Sequence, residues 1–141
     1  MSSRWGQAEG GGSRVVPVAI ELGLTGRAER VVTEADTASA FGTGDVDVLS
    51  TPRLLQLMQQ ATMDALEGHL PIGMITAGLR INLDHLHGSQ IGSPVTATAT
   101  LTRIEGRRLV FEAEAESTGL VVGVGRIIRV QIDKEQFLSR L

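Results

Sequence analysis

The sequence predicts an α+β fold in which a curved antiparallel sheet wraps around one long helix. Residues 50–68 form the single long stretch whose apolar residues recur at helical spacing. Residues 95–104 and 109–117 instead alternate apolar with polar side chains, as strands with one buried face do. An apolar helix stripe must be covered, and the sheet is the surface available to cover it.

The predicted helix carries its apolar residues in one narrow stripe. Thr51 followed by Pro52 is typical of a helix start with the threonine as N-cap, and Gly68 is a natural C-terminal stop. Because two stripe residues are alanines, the helix axis can approach a flat apolar surface closely, and that surface has to be a sheet. The stripe consists of Leu54, Leu57, Met58, Ala61 and Ala65.

Extended segments account for most of the remaining chain. Hairpin signals at Glu105–Gly106 and Thr118–Gly119 separate the last three segments and indicate an antiparallel meander. Residues 33–47 are polar and small, so we expect a loop with a short helical turn around residues 35–40. The predicted strands cover residues 15–24, interrupted by Pro17, with 26–32 continuing extended, then 74–83, which we expect to be largely buried, then 95–104, 109–117 and 120–132.

The length of 141 residues suits a single domain over residues 15–141. Residues 1–14 contain a glycine run and little apolar content, so they predict a flexible tail with Trp5 as its one anchor. No apolar run approaches the roughly 20 residues of a membrane span, and no secretory signal is evident. We therefore expect a cytoplasmic protein.

Charge and composition exclude several classes of function. The net charge of −3, with both signs interspersed, provides no basic surface for nucleic acid or for an anionic membrane. The absence of cysteine excludes disulfides, thiolate metal sites and a cysteine nucleophile. The three histidines lack convincing ligand spacing, so we expect no metal site.

Several separated motifs follow one another in a characteristic order. They are the threonine heading the helix, LMQQA at 57–61, Gly78 seven residues before His85, IEGRRL at 104–109, and GVGRIIR at 123–129 followed by Phe137. By their order and spacing, from about Val31 to Leu141, the chain resembles hotdog-fold acyl-CoA thioesterases, and within them the fluoroacetyl-CoA thioesterase-like group. The resemblance implies the hotdog fold, a CoA thioester as substrate, no cofactor, and a homodimer with a continuous sheet.

The resemblance also implies site residues. The family hydrolyses a thioester with a threonine, a helix glutamate and a histidine, which fall on Thr51, Gln59 and His85. Gln59 departs from this pattern, because an amide can position a carbonyl or a water but cannot act as a carboxylate nucleophile or base. Gly78 resembles the family glycine near the acyl group, and Arg129 matches the family arginine associated with substrate binding.

Each of these residues also has a structural explanation. Thr51 could be only an N-cap, and His85 only a bonded histidine at a strand end. Gln59 could be a surface residue beside the apolar stripe. Gly78 could mark a bend in a long strand, and Arg129 could cap the sheet face.

The glutamine leaves the source of a carboxylate open. Asp45 and Asp47 lie in the loop before the helix, and some other hotdog thioesterases use an aspartate from a comparable region. Asp64 is rotated about 140° from Gln59 around the helix and is less suitable. We favour a water activated by His85 and positioned by the glutamine and the helix threonine, which needs no carboxylate.

Two functional hypotheses follow. The first is an acyl-CoA thioesterase acting on a short or medium acyl chain. The second is a hotdog protein that binds a CoA ester or another acyl ligand without hydrolysing it, and Gln59 keeps this alternative open. A hydratase of related fold is disfavoured, because the sequence shows no clear acid and histidine motif of that kind.

Overall fold

The computed structural model describes residues 18–141, in which a 16-residue helix packs on one face of a five-stranded antiparallel sheet. The strand order is β1-β3-β4-β5-β2, so β1 and β2 form the two edges. In this part of the chain no helix is long and apolar enough to span a membrane. The elements are β1 (Thr25–Val31), a 3-10 turn (Glu34–Asp36), α1 (Ala38–Phe41), α2 (Thr51–Leu66), β2 (Met74–His85), β3 (Pro94–Glu105), β4 (Arg108–Ser117), β5 (Leu120–Asp133) and α3 (Lys134–Ser139).

The first strand begins later than the sequence predicts. Residues 18–24 are irregular or turn rather than strand, because Gly23 adopts φ +91° and redirects the chain. β1 coincides instead with the extended segment expected over residues 26–32. The remainder of the predicted strand, and the predicted tail over residues 1–14, lie outside the described residues.

Ser50, and not Thr51, is the N-cap of α2. The Ser50 hydroxyl accepts a hydrogen bond from the Arg53 amide at 3.2 Å, while Thr51 is already the first helical residue. Pro52 follows in the first turn, where its missing N–H leaves no helical hydrogen bond unmade. At the other end Gly68, with φ +84°, follows the last helical residue closely and confirms the predicted stop.

The apolar stripe of α2 is buried as predicted, and the small residues on it do bring the helix close to the sheet. All five stripe residues are at most 4% exposed. A Cβ on Gly26 of β1 would lie 2.1 Å from the Ala61 carbonyl oxygen and 2.2 Å from the Ala65 amide nitrogen, so only glycine fits there. The sheet contributes the alternating inward residues of β3 and β4, including Ala97, Ala99, Leu109, Phe111, Ala113 and Ala115.

The predicted meander of the last three strands is confirmed. β3 and β4 are joined through Gly106 at φ +62°, and β4 and β5 through Thr118 and Gly119, both at positive φ. The short helix α3 was not predicted, although the chain after β5 has an Asp133 side chain that caps it.

β2 is less buried than the sequence predicts. It pairs only with β5, and none of its residues is fully buried, so the expectation of a largely buried strand is wrong. The physical reason is its edge position, which leaves one side of the strand without a neighbour. A bulge between Gly78 and Arg80 interrupts its pairing with β5.

Replacing Gly26 by alanine tests the contact between α2 and β1. The added methyl would overlap the backbone of Ala61 and Ala65, which a regular helix cannot move locally. We expect Gly26→Ala to lower the free energy of unfolding in urea by about 3 kcal/mol or more. Gly88→Ala is the control, because its nearest neighbour is a Val48 methyl at 3.6 Å. Equal stability of Gly26→Ala and the parent would contradict this packing.

Candidate active site

The first predicted pair of site residues is in direct contact. The Thr51 Oγ1 lies 2.8 Å from the His85 Nδ1, although the two residues are 34 positions apart. Thr51 begins α2 and His85 ends β2, so the contact joins the helix start to the edge strand. Because Ser50 satisfies the helix cap, the Thr51 hydroxyl is available to the imidazole.

His85 has the properties of a base at neutral pH. Burial lowers the pKa of its imidazole below the ordinary histidine value, and the neighbouring His87 backbone opposes this effect without cancelling it. The ring is therefore neutral, with one N–H and one lone pair. Its Nε2 atom is buried and has no hydrogen-bond partner among the described residues. With Nδ1 at Thr51, Nε2 remains for a group from outside the chain.

Gln59 and Gly78 form a second contact between α2 and β2. The Gln59 Oε1 lies 3.0 Å from the position that a Cβ of residue 78 would occupy. The missing side chain at Gly78 therefore admits the glutamine amide against the strand. Gln59 is half-buried and faces the sheet edge, which differs from a solvated position on the helix surface.

Arg129 extends this second contact along the same face of the sheet. It is opposite Gly78 in the pairing of β5 with β2 and is 6% exposed. Its Nε donates to the Thr76 Oγ1 at 2.8 Å and its Nη2 to the Thr76 carbonyl at 3.1 Å. Burial lowers the pKa of Arg129. The Thr76 hydroxyl also contacts the Met63 sulfur at 3.9 Å, so the guanidinium lies on the side of β2 that faces the helix.

The structure brings the predicted residues into two groups and not into one. Gln59 follows Thr51 by eight residues, which corresponds to about 12 Å along a straight helix. Within residues 18–141 no hydrogen bond joins Gln59 to Thr51 or His85. Positions 51, 55, 59 and 63 share one helix face, so both groups nevertheless face β2.

The loop aspartates stand apart from both groups. Asp45 and Asp47 are exposed, and Asp47 accepts a hydrogen bond from the Ser39 hydroxyl. Neither makes a described hydrogen bond to Thr51 or His85. Across residues 18–141, no three histidine or carboxylate side chains gather in the way a metal ion requires.

A buried carboxylate that the sequence analysis missed lies beside the helix start. Asp36 is fully buried, and its Oδ2 accepts hydrogen bonds from Arg30 Nε at 2.8 Å and from the Thr33 amide and hydroxyl at 2.8 and 2.9 Å. Burial alone would raise the pKa of Asp36, but these hydrogen bonds outweigh it and hold the pKa well below its usual range. The spacing Thr33-x-x-Asp36, typical of a capping box, was the available sequence signal.

Asp36 fixes where α2 begins. Its Oδ1 is 2.7 Å from Nε of Arg53 in the first helical turn, and its carbonyl accepts the Ser50 amide at 2.8 Å. Ser50, just before Thr51, and Arg53, two residues after it, are thus both bonded to Asp36. This arrangement orients the threonine hydroxyl toward His85.

A cavity of about 860 Å³ lies on the outer face of the sheet, away from the helix. None of the predicted site residues lines this cavity. Its walls are mostly hydroxyl and charged side chains, including Thr96, Thr98, Thr100, Glu114, Glu116 and Arg126. The cavity is therefore separate from the Thr51–His85 and Gln59–Gly78 contacts.

Comparison with known proteins confirms the resemblance. A family profile described as FlK: fluoroacetyl-CoA-specific thioesterase matches residues 32–135. A fluoroacetyl-CoA thioesterase from Streptantibioticus cattleyicolor is 30% identical over 95 residues, which cover 67% of this chain and 68% of that protein. The structure of the fluoroacetyl-CoA thioesterase FlK superposes with a TM-score of 0.80 at 26% identity, covering 86% of this chain and 95% of that one.

A thioesterase superfamily member from Thermus thermophilus superposes equally well, with a TM-score of 0.80 at 27% identity over 85% of this chain and 89% of that one. The family profile spans well over half of the sequence, and the superpositions extend the same fold over most of its length. The chain therefore belongs to the fluoroacetyl-CoA-specific thioesterase family and is a hotdog-fold thioesterase.

Proposed function

We propose that this protein hydrolyses a short or medium acyl-CoA thioester to the free acid and CoA. The observation that carries the proposal is the Thr51–His85 hydrogen bond, which leaves a neutral imidazole with an unpartnered, buried Nε2. The relative that acts on fluoroacetyl-CoA supports a short acyl group. Hydrolysis by a histidine-activated water needs no cofactor, and the proposal includes a cytoplasmic location.

In the proposed mechanism, His85 acts as the general base. Its Nδ1–H donates to the Thr51 hydroxyl, which fixes the tautomer and leaves the lone pair on Nε2. Nε2 removes a proton from a water, whose oxygen attacks the thioester carbonyl carbon. The tetrahedral intermediate then breaks its C–S bond, and the imidazolium returns the proton to the departing CoA thiolate.

Gln59 and Gly78 are proposed to act on the carbonyl oxygen. The carboxamide of Gln59 can donate a hydrogen bond to the oxygen as negative charge develops there, and the Gly78 backbone amide can face the same atom. Neither group supplies a nucleophile, so the attacking oxygen must come from the water at His85. Removing such a donor typically lowers turnover without removing it.

The separation of the two groups within one protomer supports a homodimer. One amide of the β1 edge is satisfied within the chain, because the Asp64 carboxylate on α2 accepts the Arg27 amide at 2.8 Å, whereas β2 presents a longer edge of 12 residues. We propose that β2 pairs antiparallel with β2 of a second copy to give a continuous sheet. The antiparallel arrangement turns the His85 end of one strand toward the partner subunit's Gly78.

Ligand binding without hydrolysis is the second candidate function, because Gln59 stands where the family has a carboxylate. A hotdog protein that binds an acyl-CoA or other acyl ligand without hydrolysing it needs the pocket but not a carboxylate. A panel of thioesters assayed for released thiol separates the two functions, because only hydrolysis releases CoA. The panel also ranks acyl chain length.

The proposed dimer predicts the mass in solution. Because pairing of the β2 edges closes a long exposed strand, we expect light scattering at micromolar concentration to give twice the 15.0 kDa of the chain. A stable mass of one chain would argue against β2 pairing and against a site shared between protomers.

Replacing His85 tests the general base. His85→Ala should reduce thioesterase turnover about 100-fold or more, because it removes the group that takes the proton from water in the proposed mechanism. His87→Ala is the control, since His87 is exposed and lies outside the Thr51–His85 contact. In the parent, turnover should fall as the pH drops below about 6.5, through the lowered pKa of His85, because the protonated ring cannot accept a proton. Unchanged turnover in His85→Ala would place the chemistry elsewhere.

Replacing Gln59 tests whether the protein is a thioesterase or a binding protein that does not hydrolyse its ligand. Gln59→Glu places a carboxylate beside Gly78, within reach of a bound thioester, so turnover should rise or acquire a new acidic limb. Desolvation raises the pKa of such a carboxylate, and the added activity should fall as the pH drops toward that value. Turnover against pH is measured for the parent, Gln59→Glu and Gln59→Ala. Identical dependence of turnover on pH in all three proteins would show that Gln59 is not part of the site. An inactive parent that becomes active in Gln59→Glu would favour the binding function.

A further inference from the structure

Arg129 is a buried cation that has no counter-ion among the described residues. It is 6% exposed, and no carboxylate of residues 18–141 lies within ion-pair distance of it. Both of its hydrogen bonds go to one residue, Thr76. A guanidinium has five N–H donors, so three remain without a described partner.

Asp36, the other fully buried charged residue between positions 18 and 141, has different surroundings. Asp36 is surrounded by two arginines, which neutralise it. Buried charges in proteins are generally paired, because transfer of an ion out of water is costly without a partner of opposite sign. An arginine side chain cannot escape this cost by losing its proton near neutral pH. Within the described part of the chain, the surroundings of Arg129 therefore lack an anion.

The position of Arg129 indicates that the missing anion is part of the acyl group. The guanidinium is bonded to Thr76, two residues along β2 from Gly78, which corresponds to about 7 Å. On the helix, Met63 contacts Thr76 and lies one turn beyond Gln59, which contacts Gly78. An acyl chain whose carbonyl is held at Gly78 and which runs along β2 toward Thr76 would therefore reach Arg129 with its far end.

We propose that the substrates of this enzyme are CoA monothioesters of short dicarboxylic acids, whose free carboxylate pairs with Arg129. This inference rests on the proposed thioester hydrolysis and narrows its substrate class. Two or three methylene groups span the distance between the carbonyl at Gly78 and the guanidinium. The planar guanidinium matches a carboxylate and can donate two parallel hydrogen bonds to it.

An oxyanion could also come from the carrier, because CoA bears phosphate groups. The buried position of Arg129 favours the acyl carboxylate, since a side chain that is 6% exposed offers little access to a bulky nucleotide. The two sources have different consequences. A carboxylate contact discriminates between acyl groups, whereas a phosphate contact strengthens binding of every CoA ester by the same factor.

The test compares two esters of equal length. Succinyl-CoA carries the terminal carboxylate, and 4-oxopentanoyl-CoA replaces it by a methyl ketone. We expect the parent to favour succinyl-CoA at least about tenfold in kcat/KM, because the ketone leaves the buried guanidinium unpaired. Arg129→Gln should bring this ratio close to one, and Arg129→Lys should retain part of it. Arg126→Gln is the matched control, because Arg126 is exposed, pairs with Glu112 and should leave the ratio unchanged.

The outcomes distinguish this inference from the proposed function. Equal kcat/KM for the two esters in the parent would overturn the inference while leaving the thioesterase intact, and this result needs no variant to fold. If no ester of the thioester panel is hydrolysed, the proposed function fails, and the inference is then decided by calorimetry with succinyl-CoA and 4-oxopentanoyl-CoA, whose equal affinities would overturn it. Equal weakening of free CoA and both esters in Arg129→Gln would assign the guanidinium to a carrier phosphate and also overturn it.

Discussion

The close approach of α2 to β1 is the contact on which the rest of the structure depends. Gly26 has no side chain, and the helix backbone at Ala61 and Ala65 occupies the space where one would lie. The helix consequently packs mainly on β1 and β3 and only lightly on β2. Side chains therefore bridge the remaining space between helix and edge strand. The close packing that Gly26 permits at one edge of the sheet thus leaves the contact with the other edge to side chains such as Thr51 and Gln59.

At the start of α2, one residue caps the helix and the next contacts the histidine. Ser50 satisfies the helix end, and Thr51 turns its hydroxyl to an imidazole on another element. A single hydroxyl that did both would have to share its lone pairs between the helix amides and the ring. Pro52 then fixes the first turn without requiring an acceptor for its own nitrogen. The sequence Ser-Thr-Pro therefore stabilises a helix terminus and leaves one oriented oxygen beside it.

Local periodicity made most of the fold predictable, and long-range contacts account for what was missed. The stripe on α2 and the alternation in β3 and β4 appear in the sequence because each strand or helix has one buried face. The choice between Ser50 and Thr51 as N-cap could not be predicted, since either hydroxyl suits the position. The distance between Gln59 and His85 also depends on how the helix crosses β2, which spacing along the chain does not determine. The edge position of β2 could not be predicted either, because it follows from the order of the strands in the sheet.

The carboxylate of Asp36 gives the helix start an unusual resistance to acid. Its depressed pKa means that its ion pairs contribute stability above about pH 3.9, the value for an unfolded chain, and lose it only as the pH falls toward the lower folded value. Protonation there would leave Arg30 and Arg53 without their shared counter-charge. The ion pairs at the helix start should therefore persist at pH values where ordinary carboxylates are already protonated. Acid thus reaches the anchor that places Thr51 later than it reaches the exposed carboxylates of the protein.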